Sequence, residues 1–269
     1  MKHFFLSLFS ILFLLKVEAQ NILISSPSAE EKQLSTFAAD QFGNLYLAQG
    51  NNLKKVDDNN KTIARFSNPI NGDITSVDLL DPMYPLVFFN DFNRISFLDN
   101  RLNERESTDL INLRFSDPEL VCNGGNNLLF IYDQATDKIS RYDHQEQRTL
   151  NQTLNITQLL KKENTPLALQ ADFEGVYLYT SELGLVIFDN VLAYRKTLPI
   201  TNAIDVVKKN KKYYFLYETK IEVYSPSGEK INDLFHDIKT PLKLSVLNEN
   251  AYLIQASNKI YTLQLAGHK

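Results

Sequence analysis

Six times along this chain an aliphatic residue is followed, three positions on, by a bulky apolar residue and then, in four of the six, by Asp. The set is Leu53–Val56–Asp57, Ile95–Leu98–Asp99, Ile139–Tyr142–Asp143, Leu185–Phe188–Asp189, Ile221–Tyr224–Ser225 and Ile260–Leu263–Gln264. The final positions of the motif lie 42, 44, 46, 36 and 39 residues apart. A period of about 40 in a strand-patterned sequence predicts an array in which each repeat is one small sheet, since one such sheet cannot bury its own faces.

Each unit opens with a short alternating segment, crosses a turn and enters a strongly apolar second segment. Thr165–Gln170, Asp172-Phe173-Glu174-Gly175 and Val176–Tyr179 show the pattern in the fourth repeat. In repeats three to six the seventh residue after Val121, Leu169, Val206 or Leu244 starts the second segment, and Ala38 with Leu45 fits the first repeat. The spacing predicts one turn geometry reused. With 26 Asn against 9 Gly, asparagine supplies much of the positive-φ backbone. Repeat two is stretched by Asp81-Pro82-Met83-Tyr84-Pro85. The opening motif is the third segment, and a fourth, such as Thr62–Phe66 or Lys230–Leu234, follows a polar hairpin. Four such segments read as a four-stranded antiparallel sheet. Only Ile156–Lys162 carries a helical pattern.

The sixth repeat stops after its third strand, near Leu265, and Ile22–Ser25 is a strand-like segment with no repeat of its own. The expected fold is therefore an all-β, six-bladed β-propeller of four-stranded antiparallel blades, closed by Ile22–Ser25 as the missing outer strand. Residues 1–19 read as a secretory signal, with Lys2, the apolar run Phe4–Leu15 and a small-residue site at Val17-Glu18-Ala19; residues 20–269 form the single domain. The expected location is the periplasm or the cell exterior. No membrane span remains after cleavage, since the apolar run is too short for one.

Conventional chemistry is hard to find in the residues. Cys122 is the only cysteine and reads as a small buried filler of an inner strand. A net charge of −4 with mixed signs argues against nucleic acid. The basic run Lys208-Lys209-Asn210-Lys211-Lys212 reads as a solvated hairpin tip, and Asp57-Asp58-Asn59-Asn60 as a turn rather than a calcium loop. His144, His236 and His268 stand apart, and no nucleophile elbow or phosphate loop is present.

Two groups of residues stand out as site candidates. The residue opening the inner segment is Asp73, Asp117, Thr165, Asn202 and Thr240, with Leu34 in the first repeat; Glu119 and Asp205 follow close by. A ring of this kind at one channel mouth predicts a polar ligand site at Asp73, Asp117, Glu119, Asn202 and Asp205, with calcium the ion it could hold. The second group lies on the connections between blades and between second and third strands, which emerge at one end of the ring. There Asp91, Phe92, Asp133 and Asp137 are candidate interaction residues, because variable loops on a rigid frame are where binding resides.

The stretch Ala39-Asp40-Gln41-Phe42-Gly43-Asn44-Leu45-Tyr46-Leu47-Ala48 resembles the blade core of six-bladed propellers of the NHL and TolB-like kind. Repeats two to six keep its spacing without the Gly-Asn pair, so the resemblance is one of architecture. Zero Trp excludes the Trp-Asp signature of WD repeats and the Trp-ended Asp boxes of sialidases. The expected function is a non-enzymatic binding or protein-interaction scaffold for a protein or small polar ligand. The alternative is a calcium-dependent hydrolase resembling six-bladed lactonases, with Glu119, Asn202 and Asp205 in ligand roles.

Overall fold

A computed structural model describes residues 18–22 and 33–265. They form six four-stranded antiparallel sheets, five of them built from consecutive strands and the sixth completed by Glu18–Ile22. The inner strands are Leu34–Ala39, Ser76–Asp78, Pro118–Gly125, Pro166–Asp172, Asp205–Lys209 and Pro241–Asn248.

The core is six apolar clusters, each shared by two neighbouring blades. Val77, Val87 and Phe89 of blade two pack on Tyr46, Ala48 and Leu53 of blade one. Corresponding clusters join blades two to three, three to four, four to five and five to six. Leu253 and Ile260 of blade six then pack on Phe37, Leu45 and Leu47 of blade one, which closes the ring. A sheet covered on both faces needs continuous apolar runs, and the second strands supply them: Leu86–Phe89 is buried at every position. Each fully buried side chain of this kind contributes about 1.5–3 kcal/mol.

The repeat motif has a local cause. Its aliphatic and bulky residues fill the clusters, and its Asp caps the turn to the outer strand. Asp99 Oδ1 accepts from the Arg101 and Asn103 main-chain N–H groups at 2.9 and 2.8 Å. Asp57 and Asp189 do the same, and Ser225 substitutes a hydroxyl. Three residues after the cap the chain turns left-handed at Asn60, Leu102, Leu192 and Gly228. The two leucines hold that backbone because their side chains are buried.

Several expectations need correction. In blade one the residue aligned with Val121, Leu169, Val206 and Leu244 is Phe37 rather than Ala38: Phe37 faces Leu47 as Leu169 faces Leu178. The turn from Asp40 to Asn44 is one residue longer than that of blade four, and this shifts the spacing. The shared spacing also hides different turns. Asn126-Asn127 and Asn210-Lys211 have positive φ at both positions, as a type I′ hairpin requires, whereas Phe173-Glu174 and Glu249-Asn250 do not. The closing strand is Glu18–Ile22, paired from Glu18↔Gln264 to Ile22↔Ile260. Of the expected Ile22–Ser25, Ile22 lies in it, and residues 23–25 lie outside the described residues. Residues 1–17 of the expected leader also lie outside them. The helical segment is a single short helix, Ile156–Leu160, capped by the Asn155 side chain.

Candidate functional site

The inner strands enclose a channel with a cavity of about 740 Å³. Their third and fifth residues, counted with the buried anchor as fourth, point at the next blade and stitch the wall. Asp78 Oδ2 accepts from the Asn123 N–H of blade three at 2.9 Å, and Gln170 Oε1 from the Lys208 N–H of blade five at 2.9 Å. Asp205 Oδ2 accepts from the Leu244 N–H of blade six at 2.8 Å, and Lys243 Nζ donates to Thr36 Oγ1 of blade one at 2.7 Å. Ser35 Oγ reaches the Ile74 carbonyl of blade two at 3.2 Å. At the seam between blades three and four a second cavity of about 560 Å³ opens among Glu119, Tyr132, Asp137, Asn155 and Asn164.

Asp78, Asp205 and Lys243 are enclosed by protein, with their remaining accessible surface facing the channel. Burial pushes both carboxyls above the ordinary carboxylate range, against the hydrogen bonds they accept and against the Lys243 charge. Burial likewise pulls the Lys243 ammonium down, opposed by the two aspartates. Cys122 is 1 % exposed and its thiol is pushed well up by burial and then by Asp78, the state of an inert core thiol.

Of the predicted ring, Glu119 and Asp205 line the channel, while Asp73, Asp117 and Asn202 do not. Asn202 is an exposed turn residue at φ 62°, and the Asp117 carbonyl accepts from Gln134 N–H at 2.8 Å. Glu119 is bonded by Asn90 Nδ2 at 3.0 Å, and both Asp205 oxygens are taken by main-chain N–H groups. Among the described residues no three His, Cys, Asp or Glu side chains converge as metal ligands do. Sequence reasoning missed Asp78, Lys243, Thr36 and Gln170. Their signal is alternation: each lies one residue from a buried anchor and so faces the opposite way.

The predicted interaction loops are connections between blades and between second and third strands, and their carboxylates differ. Asp133 is 4 % exposed and accepts from the Ser116 and Thr136 N–H groups. Asp137 accepts from Tyr132 Oη at 3.0 Å and from the Thr157 N–H at 2.8 Å. Asp91 and Phe92 are exposed on a 3₁₀ turn, with the Phe92 ring lying against Gly72, where a Cβ would come within 2.7 Å of it. Exposed apolar side chains recur around the end where these loops emerge: Ile70, Phe92, Ile111, Leu154, Leu167, Ile204 and Leu242. Leu167, Ile204 and Leu242 occupy the second inner-strand position of blades four to six and edge the channel mouth. Blades one to three place Ser35, Thr75 and Glu119 there.

The basic run sits at the opposite end, and only its tip is solvated. Lys208 pairs with Asp172 and Glu174 of blade four, and Lys212 with Glu249 of blade six at 2.8 Å. Lys209 is half-buried, its ammonium pulled down by burial against the pull of Asp40. Lys211 is the exposed member.

No protein-family model matches the chain, and no curated protein matches it. Solved structures do. A streptogramin B lyase is 11 % identical with a TM-score of 0.66, over 93 % of this chain and 97 % of that one. Virginiamycin B lyase from Staphylococcus aureus is 12 % identical with a TM-score of 0.65, over 93 % and 99 %. The WD40 domain of Neurospora crassa Pan2 is 9 % identical with a TM-score of 0.63, over 88 % and 90 %. This likeness shows the propeller fold alone.

Proposed function

We propose that this protein is an exported, non-enzymatic binding propeller that docks a protein partner on its loop-rich end. One observation carries the reading: seven large apolar side chains, Ile70, Phe92, Ile111, Leu154, Leu167, Ile204 and Leu242, stand exposed around that end, spread over every sector from the first interblade connection to blade six. Dispersed single apolar residues are ordinary, but three at the channel mouth with four more on the connections of the same end is the arrangement of a docking face. The polar groups of the channel support the same reading, because Asp78, Asp205 and Gln170 are engaged in joining blades. Export rests on the leader-like Lys2 and Phe4–Leu15. Among the described residues no helix is long and apolar enough to cross a membrane.

The test is a pull-down from the envelope fraction of the source cells with the purified protein, repeated with Phe92→Asp plus Leu242→Asp and, separately, with Phe42→Asp plus Phe173→Asp at the other end. The proposal expects one partner, lost with the first pair and kept with the second. Retention by the first pair would overturn it. Sequencing of the mature N-terminus tests the leader: export with cleavage after Ala19 leaves Gln20–Ile22 of the closing strand in place.

A further inference from the structure

Inside the channel, one donor and one acceptor stand side by side without full partners. Gln255, on the second strand of blade six, is directly across the strand pair from Lys243. Such partners project to the same face with Cβ atoms about 5 Å apart. The Gln255 amide has a fixed orientation: Nε2 donates to the Leu34 carbonyl at 3.1 Å and reaches the Ser257 carbonyl at 3.5 Å. That leaves Oε1 buried and, among the described residues, without a donor, although Gln255 is 2 % exposed and lines the channel cavity. Lys243 Nζ gives one N–H to Thr36 Oγ1, and among the described residues no carboxylate lies within 4.0 Å of it. An ammonium carries three donors, so two remain for the cavity. A buried acceptor left without a donor destabilises the folded chain, so the arrangement favours a guest that supplies one.

We propose that the channel at Lys243 and Gln255 is a binding site for a neutral ligand bearing adjacent hydroxyls, the vicinal diol that a sugar presents. One hydroxyl oxygen accepts from Lys243 Nζ while its neighbour donates to Gln255 Oε1. Hydroxyls fit because the guest must be acceptor and donor at adjacent atoms. Neutrality follows from the charges already enclosed. Asp78 and Asp205 hold four main-chain N–H groups with their four oxygens, from Leu80, Asn123, Val206 and Leu244. Burial already works against the charged forms of Asp78, Asp205 and Lys243, and a guest with net charge would meet the same penalty. Ser76 and Ser245 add wall hydroxyls, and Ile204 and Leu242 offer apolar surface at the mouth for C–H faces. The cavity of about 740 Å³ is within the range of small-molecule sites.

This site shares Ile204 and Leu242 with the docking face at the mouth but rests on Lys243 and Gln255, so its test does not depend on that face. The experiment is a ligand-detected NMR titration of the full chain with methyl glucoside and maltose, with acetate and methylammonium as charged probes. It is run on the wild type, Lys243→Met, Gln255→Leu and Ser245→Phe. Ser245 lines the cavity two residues along the strand from Lys243, so its Phe fills the channel while leaving the Lys243–Thr36 bond intact. Saturable binding of a diol probe to the wild type is expected, weakened tenfold or more by Gln255→Leu and by Ser245→Phe. Lys243→Met adds the same readout if its melting curve stays cooperative. No diol binding to the wild type, preference for acetate or methylammonium, or unchanged diol binding in Ser245→Phe and Gln255→Leu would each overturn the proposal.

Discussion

The two ends of the ring use polar residues in similar ways and leave different things exposed. At the turn end, Asp57, Asp99 and Asp189 cap hairpins, and Lys208 and Lys212 tie neighbouring blades through Asp172, Glu174 and Glu249. At the loop-rich end, Asp133 and Asp137 also serve the backbone, fixing the interblade connections at Ser116 and Thr157. The contrast lies in the apolar residues. The turn end carries Phe42, Met83, Tyr84, Phe173 and Val191 on hairpin turns, whereas the loop-rich end carries Ile70, Phe92, Ile111 and Leu154 on its connections and Leu167, Ile204 and Leu242 at the channel mouth. An acidic sequence does not make a free acidic rim, and the proposed docking face rests on the exposed apolar side chains of the loop-rich end.

Two glycines with nearly the same φ give the strongest contrast between the ends. Gly184, at φ 86° in the loop-rich end, would place a Cβ against the Leu198 carbonyl oxygen and 2.6 Å from the Ile200 nitrogen. Gly43, at φ 85° in the turn end, has nothing within 4 Å of that position. Gly184→Ala should therefore destabilise by about 3 kcal/mol or more, since backbone strain and overpacking add, while Gly43→Ala costs about 1–2 kcal/mol from the left-handed backbone alone. Urea melts of the two variants check this, and equal losses would break the contrast.

Next in size are the carboxylates of the loop-rich end. Asp133→Ala leaves two N–H groups without an acceptor and should cost about 1–3 kcal/mol. Asp91→Ala should stay within about 0.5 kcal/mol, as exposed substitutions do. A stable Asp133→Ala protein by denaturant titration would mean that the interior role of Asp133 is wrong. At the turn end, Lys208→Met should cost about 1–2 kcal/mol, because it strips a hydrogen bond to charge from the enclosed Asp172, and Lys211→Met should cost less than about 0.5 kcal/mol. A thermal melt that ranks them the other way would make the cluster a solvated tip after all.

The smallest effect is one of pH. Against burial, which raises it, hydrogen bonds from Lys220, Lys230 and Tyr224 hold the Glu222 carboxyl down at about 2. A carboxyl lowered in the folded state stabilises above its unfolded value of 4.5, and that contribution fades as pH falls through about 2. Glu222→Gln should then cost about 1 kcal/mol at neutral pH, with the difference from wild type shrinking between pH 4.5 and 2. A difference that does not change with pH would assign Glu222 a packing role instead.

Much of the frame was legible because it is periodic. The motif from Leu53–Val56–Asp57 onward marks third strands and their capped turns, and both follow from local chemistry. What escaped depends on register or on distant partners. One extra residue between Asp40 and Asn44 moved the blade-one anchor to Phe37, and composition cannot reveal such a slip. The start of the closing strand at Glu18 rather than Ile22 is a similar matter of register, while closure by the N-terminal segment was legible. Asp133 and Asp137 read as rim charges because their donors, Ser116 and Thr157, lie 17 and 20 residues away. The channel pair of Lys243 and Gln255 is hidden for a further reason: its halves sit on different strands, and only the pairing brings them together.

The docking face itself is tested most directly by mapping contacts in living cells. A photoreactive amino acid is placed singly at 92 and 242 on the loop-rich end and at 42 and 173 on the turn end, and cross-linking is followed by size and mass analysis. The account predicts one common adduct from 92 and 242 and none from 42 and 173. An adduct from 42 or 173 with none from 92 and 242 would contradict it.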